Sequence, residues 1–461
     1  METFIDRKRE LSLLEERYRS GKAEFVVIYG RRRVGKTALI EKFLEGKKGV
    51  RLLAREESKT LQLNRFSLAL AEFFGDEFLK KAPFREWDGL LDYLAQKAEK
   101  ERVVVAMDEF PNLLKEERGF PSILQDYWDR KLSKTRLFLI LCGSSISMME
   151  TRVMGHRSPL YGRRTGQLLL RPFRFLDVFE YVGDLRRAVE IYSVLGGTPA
   201  YLLEADPRKD IFTNLEKILR EDSFILRDVE FVLRQELTEP RYYFSILLSI
   251  ARGNRRIGLI SNDTGLGIGL VNKYLSVLAD LQLARRVVPV TEGERSKKGL
   301  WFLSDNLFDF WFRFIYPHLD EIERGKPEGT LEEIESSFEE YTGRHFEEVC
   351  REILEEMNYQ SLLPSRFSRI DPWWHGEREI DAVGIDFESG DALFAECKWR
   401  ERVDAEKVLE NLREKTKYVP RRKRGKEYFA IFAKSFGKKV EGALLFDLQK
   451  LEEICNKLAG H

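Results

Sequence analysis

The sequence predicts a multidomain α/β chain, and three observations carry that prediction. An apolar stretch at residues 25–29 runs straight into Gly30-Arg31-Arg32-Arg33-Val34-Gly35-Lys36-Thr37 and then into a helical run over 37–44. Over the first 180 residues short apolar strands alternate with helical periods, as a parallel sheet covered by helices requires. At 461 residues the chain also exceeds what one core normally supports, so three or four domains are expected.

The elements follow in order. Strands are expected at 24–29, 49–54, 102–107, 137–142 and 166–170, with helical apolar periods at 10–18, 61–74, 87–100 and 122–131 between them. From 175 to 231 the pattern is wholly helical, broken once by Gly196-Gly197-Thr198-Pro199, and reads as a helical lid. Three further helical periods at 242–251, 256–265 and 268–281, followed by strands at 283–290 and 298–303, read as a winged helix-turn-helix. In that motif the third helix enters a major groove, and Asn272, Lys273 and Ser276 would face outward; a packing module between domains is the other reading. The aromatic run Asn306 to Tyr316 reads as interdomain core. A charged segment, 321–333, is expected to mark the next boundary.

The glycine-rich turn carries the first chemistry. Its spacing, Gly-x4-Gly-Lys-Thr, lets backbone N–H groups of Gly30, Val34, Gly35, Lys36, Thr37 and Ala38 face a triphosphate, with Lys36 on the β/γ-phosphates and the Thr37 hydroxyl on Mg²⁺. The chain is therefore expected to bind ATP or GTP. At the end of the third strand Asp108 and Glu109 leave in different directions, so Asp108 can hold the Mg²⁺ water shell while Glu109 polarises the attacking water. The Asp-Glu order points to hydrolysis of ATP rather than binding alone. The fourth strand ends in Gly143-Ser144-Ser145, where Ser144 either senses the γ-phosphate or begins a turn.

Composition removes several alternatives. Lys plus Arg (78) balances Asp plus Glu (77), so any nucleic-acid surface must be local. Four scattered cysteines without metal spacing favour a reducing, cytoplasmic setting, and five unclustered histidines argue against zinc. No apolar stretch is long enough to span a bilayer, and no membrane partner is expected.

A second constellation lies near the end. A helix over 338–357 carries Glu347, and candidate strands Glu379-Ile380-Asp381-Ala382-Val383 and Leu393 to Trp399 follow. Alternation sends Glu396 and Lys398 to one face, and a neighbouring strand can bring Asp381 alongside. Two carboxylates and a lysine can hold Mg²⁺, or Mn²⁺ in its place, and stabilise a pentacovalent phosphate. His375 reads as a loop residue.

The motif set is specific enough to place. Phe4-x2-Arg7-x2-Glu10-Leu11, Gly-Arg-Arg-Arg-x-Gly-Lys-Thr, Asp108-Glu109-Phe110-Pro111, Gly143-Ser144-Ser145 and Gly196-Gly197-Thr198-Pro199-x-Tyr201-Leu202 together resemble the archaeal ATPase family, which is similar to AAA+ and STAND P-loop NTPases. The likeness covers about residues 1–235. It implies Phe4 and Arg7 beside the adenine, Pro199 bordering the nucleotide, and Arg163 or Arg164 neutralising γ-phosphate charge within one chain or across a homo-oligomer. The arrangement Glu347…Asp381…Glu396-x-Lys398 resembles the PD-(D/E)xK nuclease superfamily, although Ile380 stands where that pattern has proline. The domain after residue 330 also looks like the uncharacterised one often fused to archaeal ATPases. That resemblance implies Asp381 and Glu396 as metal ligands, Glu347 as an accessory ligand and Lys398 as the catalytic lysine of a restriction-endonuclease-like fold.

The expected organisation is an ATPase core at 1–180, a lid at 181–238, a winged helix at 239–325 and a nuclease-like domain at 330–461. Two functions compete: an ATPase that controls DNA cleavage, or an ATP-dependent switch that binds DNA or a protein through a catalytically silent tail.

Overall fold

A computed structural model describes residues 7–237 and 239–459 of the chain. Its contacts form two compact units, Met1–Arg171 and Pro172–His461.

The first unit is a five-stranded sheet covered by helices. Its strands are β1 (Glu24–Tyr29), β2 (Gly49–Leu53), β3 (Val103–Asp108), β4 (Leu137–Gly143) and β5 (Gly166–Leu169), all parallel in the order β2-β3-β4-β1-β5. A parallel sheet is covered on both faces, so its central strands must be apolar at every position. β1 and β4 are buried throughout, and β3 is buried even at its terminal Asp108. Alternation divides the core in two: Phe25, Val27 and Val105 pack with Phe66, Trp87 and Phe120 on one face. Val26, Ile28 and Ala106 pack on the other with Leu39, Ile40 and Phe43 of the helix Lys36–Leu44.

The second unit begins with the helices Phe175–Val182 and Leu185–Leu195, so the segment expected to be a lid belongs to this unit. Its glycine break has a packing cause. The Phe173 N–H donates to the Gly197 carbonyl at 2.7 Å, and a Cβ on Gly197 would lie 1.9 Å from the Phe173 carbonyl oxygen. Next come helices Pro240–Ala251, Ile257–Thr264 and Ile268–Asp280, then β6 (Ala284–Val287) and β7 (Leu300–Leu303) as an antiparallel ribbon. Asn272, Lys273 and Ser276 are exposed on the third helix, whose other face buries Val271, Leu275 and Leu278. The aromatic run is core: Phe308, Phe310, Trp311, Phe312 and Phe314 are buried, and the Trp311 indole N–H donates to the Leu226 carbonyl at 2.9 Å.

The charged stretch 321–333 runs into a helix. Residues from Glu328 onward open a single 32-residue helix, Glu328–Tyr359, because Thr330, Ile334, Phe338 and Tyr341 sustain a buried stripe beneath the exposed glutamates. This helix lies against a mixed sheet of order β14-β12-β10-β9-β8. Its strands are β8 (Arg369–His375), β9 (Arg378–Ile385), β10 (Ala392–Lys398), β12 (Glu427–Ala433) and β14 (Leu444–Phe446); β11 (Val403–Asp404) and β13 (Phe436–Lys438) pair separately. His375 is not in a loop: it ends β8 and pairs with Arg378 across the turn at Gly376. Pro372 sits at an irregularity in this edge strand, the one setting in which a sheet accepts proline. The Val290 N–H, from the β6–β7 connection, donates to the Pro372 carbonyl at 3.0 Å.

Replacing Gly197 by alanine forces its new methyl into backbone and is expected to destabilise the second unit by about 2 kcal/mol or more. Gly258→Ala, where a Cβ meets no atom within 4 Å, is expected to stay within roughly 0.5 kcal/mol of the parent in urea unfolding. Equal midpoints for the two variants would show that the Gly197 contact does not matter.

Candidate functional sites

The first site is built at the carboxyl ends of β1, β3 and β4. Gly30 leaves β1 with φ 154° and its backbone close enough that a Cβ would meet the Leu170 carbonyl oxygen at 2.2 Å. Gly35, at φ 85°, is the N-cap of the helix Lys36–Leu44, so the loop ends on a helix N-terminus that attracts anions. The buried Lys36 ammonium donates to the carbonyls of Gly30 and Arg31 at 2.9 and 2.8 Å. Val34 is buried, whereas Ala38 in the first helical turn is exposed.

Across the sheet, the Thr37 hydroxyl donates to Asp108 Oδ2 at 3.0 Å, and Arg51 Nη1 reaches the same oxygen at 3.1 Å. Asp108 is 1% exposed, and its other oxygen accepts the Glu109 N–H at 2.9 Å. Glu109 adopts the left-handed conformation at φ 50°, a backbone state uncommon for side chains other than Asn and Asp and one that marks constrained sites. Its carboxylate accepts the Ser144 hydroxyl at 2.8 Å. Ser144 therefore bridges β4 to the candidate base on β3. The hydroxyl and carboxylate oxygens of Thr37 and Asp108 are the hard donors that Mg²⁺ prefers.

Other expected residues are placed as follows. The Arg7 guanidinium donates to the carbonyls of Val34 and Arg171, both at 2.8 Å, and pairs with Glu10, so it braces the glycine loop. Phe4 lies outside the described residues. Arg163 is engaged by Asp129 at 2.9 Å, and Arg164 by Gln167 and the Met154 carbonyl. Pro199 occupies the first turn of the short helix Pro199–Leu202 in the second unit; the adjacent Thr198 hydroxyl reaches Asp305 at 3.2 Å.

The second site lies on β9 and β10. Antiparallel pairing sets Ala382 opposite Ala395, which brings Asp381 beside Glu396. Lys398 Nζ lies 2.7 Å from Glu396 Oε2 and 3.6 Å from Asp381 Oδ2. The expected trio therefore converges. Asp381 Oδ2 also accepts the Cys397 N–H at 2.8 Å, and Arg351 of the long helix donates to the Asp381 carbonyl at 2.9 Å. Burial, the nearby Glu396 charge and the opposing pull of Lys398 leave the Asp381 carboxyl above its ordinary pKa. Burial works against the Lys398 ammonium, but Asp381 and Glu396 outweigh it and raise its pKa.

Glu347, half-buried on the long helix, is raised by burial first and then by the charge of Asp381. It does not complete a three-carboxylate cage: among the described residues no group of three or more His, Cys, Asp or Glu side chains is placed to hold a metal. A second cation, Lys415 of the helix Ala405–Thr416, reaches Glu396 Oε1 at 2.5 Å, so both Glu396 oxygens carry a lysine. Asp381 and Glu396 still offer two hard oxygen ligands, the number with which Mg²⁺ commonly binds beside substrate phosphates. A cleft of about 400 Å³ opens at Glu396, lined also by Arg378, Lys398, Asn411, Glu414, Lys415 and Tyr418. No helix among the described residues is long and apolar enough to cross a membrane.

Residues 4–205 match the profile of an ATPase domain found predominantly in Archaea, and residues 311–408 match that of archaeal and bacterial proteins of unknown function. An uncharacterized protein of Methanocaldococcus jannaschii is 37% identical over 452 residues, covering 97% of this chain and 99% of that one. An uncharacterized ATP-binding protein of the same organism is 58% identical over 45 residues, 10% of this chain and 76% of that one. Among solved structures, a Walker-type ATPase of Pyrococcus abyssi aligns with TM-score 0.49 and 21% identity over 67% of this chain and 96% of that one. The ORC2 protein of Aeropyrum pernix aligns with TM-score 0.45 and 16% identity over 71% of this chain and 97% of that one. With its near-full-length relative and its two profile matches, the chain belongs to the archaeal ATPase family whose members carry this carboxyl-terminal domain of unknown function.

Proposed function

We propose that the chain hydrolyses ATP in its first unit and uses that cycle to control metal-dependent cleavage of DNA by its last domain. The observation that carries the second half is the approach of Asp381 and Glu396 to within 4 Å of Lys398, beside a cleft that Glu396, Lys398, Lys415 and Arg378 help to line. In this reading the ATPase core, lid, winged helix and nuclease-like domain occupy 1–180, 181–238, 239–325 and 330–461.

In the first unit the loop amides and Lys36 bind the phosphates of ATP. Thr37 and Asp108 would hold Mg²⁺, which when bound would offset the charge developing on the phosphoryl oxygens. Glu109 takes the proton of the attacking water, and Ser144 keeps its carboxylate in position. Arg51 stabilises the Asp108 charge. Arg7 acts on the nucleotide indirectly, by fixing the Val34 carbonyl and hence the loop. Arg163, freed from Asp129, is the candidate cation for the γ-phosphate in a self-assembled oligomer.

In the last domain Asp381 and Glu396 are the residues that would hold a divalent cation, with Glu347 as an accessory group. When bound, the ion polarises a phosphodiester and lowers the pKa of a water. Lys398 sits where it can stabilise the extra negative charge on phosphorus as the bond to water oxygen forms and a P–O ester bond breaks. One observation favours the alternative of a silent, partner-binding tail. Both oxygens of Glu396 are taken by lysines, and one of these must withdraw before Glu396 can coordinate.

Two sets of measurements test these roles. Lys36→Ala is expected to abolish ATP binding in equilibrium dialysis, whereas Glu109→Gln retains ATP and turns over about 10²- to 10⁴-fold more slowly; normal turnover in Glu109→Gln would remove it as the base. On plasmid and oligonucleotide substrates, cleavage should need Mg²⁺ or Mn²⁺, stop with chelator and fall by roughly 10²-fold or more in Asp381→Ala and Lys398→Ala. Cutting that persists in both variants would trace to another centre or a contaminant.

A further inference from the structure

The connection between the helix Ala405–Thr416 and β12 reads Arg421-Arg422-Lys423-Arg424-Gly425-Lys426, five cations in six residues on a chain whose net charge is only +1. A charge run on a surface is usually just solvated, and two features set this one apart. First, it is held rigidly. Asp391 Oδ1 accepts the Lys426 N–H at 2.8 Å and Asp391 Oδ2 the Ser365 hydroxyl at 2.9 Å, while the Gly425 N–H donates to the Gly390 carbonyl at 2.9 Å. A Cβ on Gly425 would lie 2.2 Å from Asp391 Oδ1, so the turn accepts only glycine there without rearrangement. Lys423 is tied back to the Glu388 carbonyl at 2.9 Å, and Arg421 is buried beneath the loop, paired with Glu427 and stacked over Phe394. Arg422, Arg424 and Lys426 are exposed, and no acidic side chain among the described residues pairs with them.

Second, the loop stands beside the strand that carries Glu396. Parallel pairing sets Glu427 beside Ala392, so the loop lies at the Ala392 end of that strand, roughly 13 Å from Glu396 along the sheet at about 3.3 Å per residue. Lys398 and Lys415 hold the Glu396 carboxylate, and the Arg378 guanidinium, from the end of β9 farther from the loop, sits 4.0 Å over the Tyr418 ring. Lys415, Arg378 and Tyr418 line the cleft, and Tyr418 is half exposed. Two cationic positions therefore stand along one strand. Their separation is about four phosphate steps of a nucleic-acid strand at roughly 3.4 Å each.

We infer that the 421–426 loop is a phosphate grip for a nucleic-acid backbone, holding the strand whose next phosphates reach the Asp381–Glu396 pair. This rests on reading that pair as a phosphodiester site and adds a binding surface to it. The grip reads charge and spacing, not base sequence, because arginine and lysine contacts to phosphate carry no sequence information.

The test is made in the full-length Asp381→Ala chain, so that binding is read without cleavage. Fluorescence anisotropy with a labelled duplex is followed from low to moderate NaCl for this parent and for the same chain bearing Arg422→Ala, Arg424→Ala and Lys426→Ala. Three lost contacts should make the slope of log K against log salt shallower by about 2.7, at about 0.9 per phosphate, and weaken binding tens of fold near 0.1 M salt. Lysine at 422 and 424 should restore most of the slope, since a point charge suffices for phosphate. The melting temperature of each variant should match the parent. An unchanged slope and affinity would overturn the proposal, as would phosphatidylserine vesicles that bind as tightly as duplex and are released by the same substitutions. Because no step of the assay needs cutting, a failed cleavage experiment leaves this result standing, and an unchanged slope leaves the cleavage reading intact.

Discussion

A carboxylate at the buried end of a sheet strand cannot be left uncompensated, and this constraint organises both halves of the molecule. Asp108 and Glu396 are 1% and 3% exposed, each near the carboxyl end of an interior strand. Burying such a charge alone would cost several kcal/mol. The chain meets that cost with donors from separate elements: Thr37, Arg51 and the Glu109 amide for Asp108, Lys398 and Lys415 for Glu396. In the proposed reading a phosphate takes over these donors and a hard cation the carboxylate oxygens they leave, which would convert a structural ion pair into a ligand site.

The middle of the chain shows a different economy of contacts. The β6–β7 connection is not a free wing: Val290 hydrogen-bonds to Pro372 and packs with Trp373 and Ile380, and Arg369 donates to the Glu292 carbonyl at 2.8 Å. Arg285 of β6 also pairs with Glu348, next to Glu347 on the long helix. The helix-and-ribbon segment is thus fixed to the carboxyl-terminal sheet. Any duplex held by the exposed face of the helix Ile268–Asp280 would lie at a set distance from Asp381, and any partner protein there would sense the same rigid body.

Local chemistry was legible in the sequence, and chemistry assembled across elements was much less so. The glycine loop, Asp108-Glu109 and the alternation of Glu396 with Lys398 are short-range patterns whose geometry follows from strand and turn periodicity. The hydrogen bond from Ser144 to Glu109 depends on β3 and β4 being neighbours, which no spacing reveals. Lys415 is not apparent in the sequence because it reaches Glu396 from a helix packed on the sheet, and the bracing of the glycine loop by Arg7 is not because its acceptors are backbone carbonyls at Val34 and Arg171. Pro372 concealed β8, and the glutamates of 328–333 concealed the start of the long helix, whose buried stripe is sparse there.

The central claim is that the lysine-closed pair at Asp381 and Glu396 opens to a divalent cation when phosphate arrives. A crystal of the chain with Mn²⁺ and a duplex oligonucleotide, read by anomalous scattering, tests it most directly. The account predicts an ion bound by both carboxylates, with at least one of Lys398 and Lys415 withdrawn from Glu396 and turned to a backbone phosphate. A map with no ion there, and Glu396 still bridging both lysines beneath bound DNA, would contradict it.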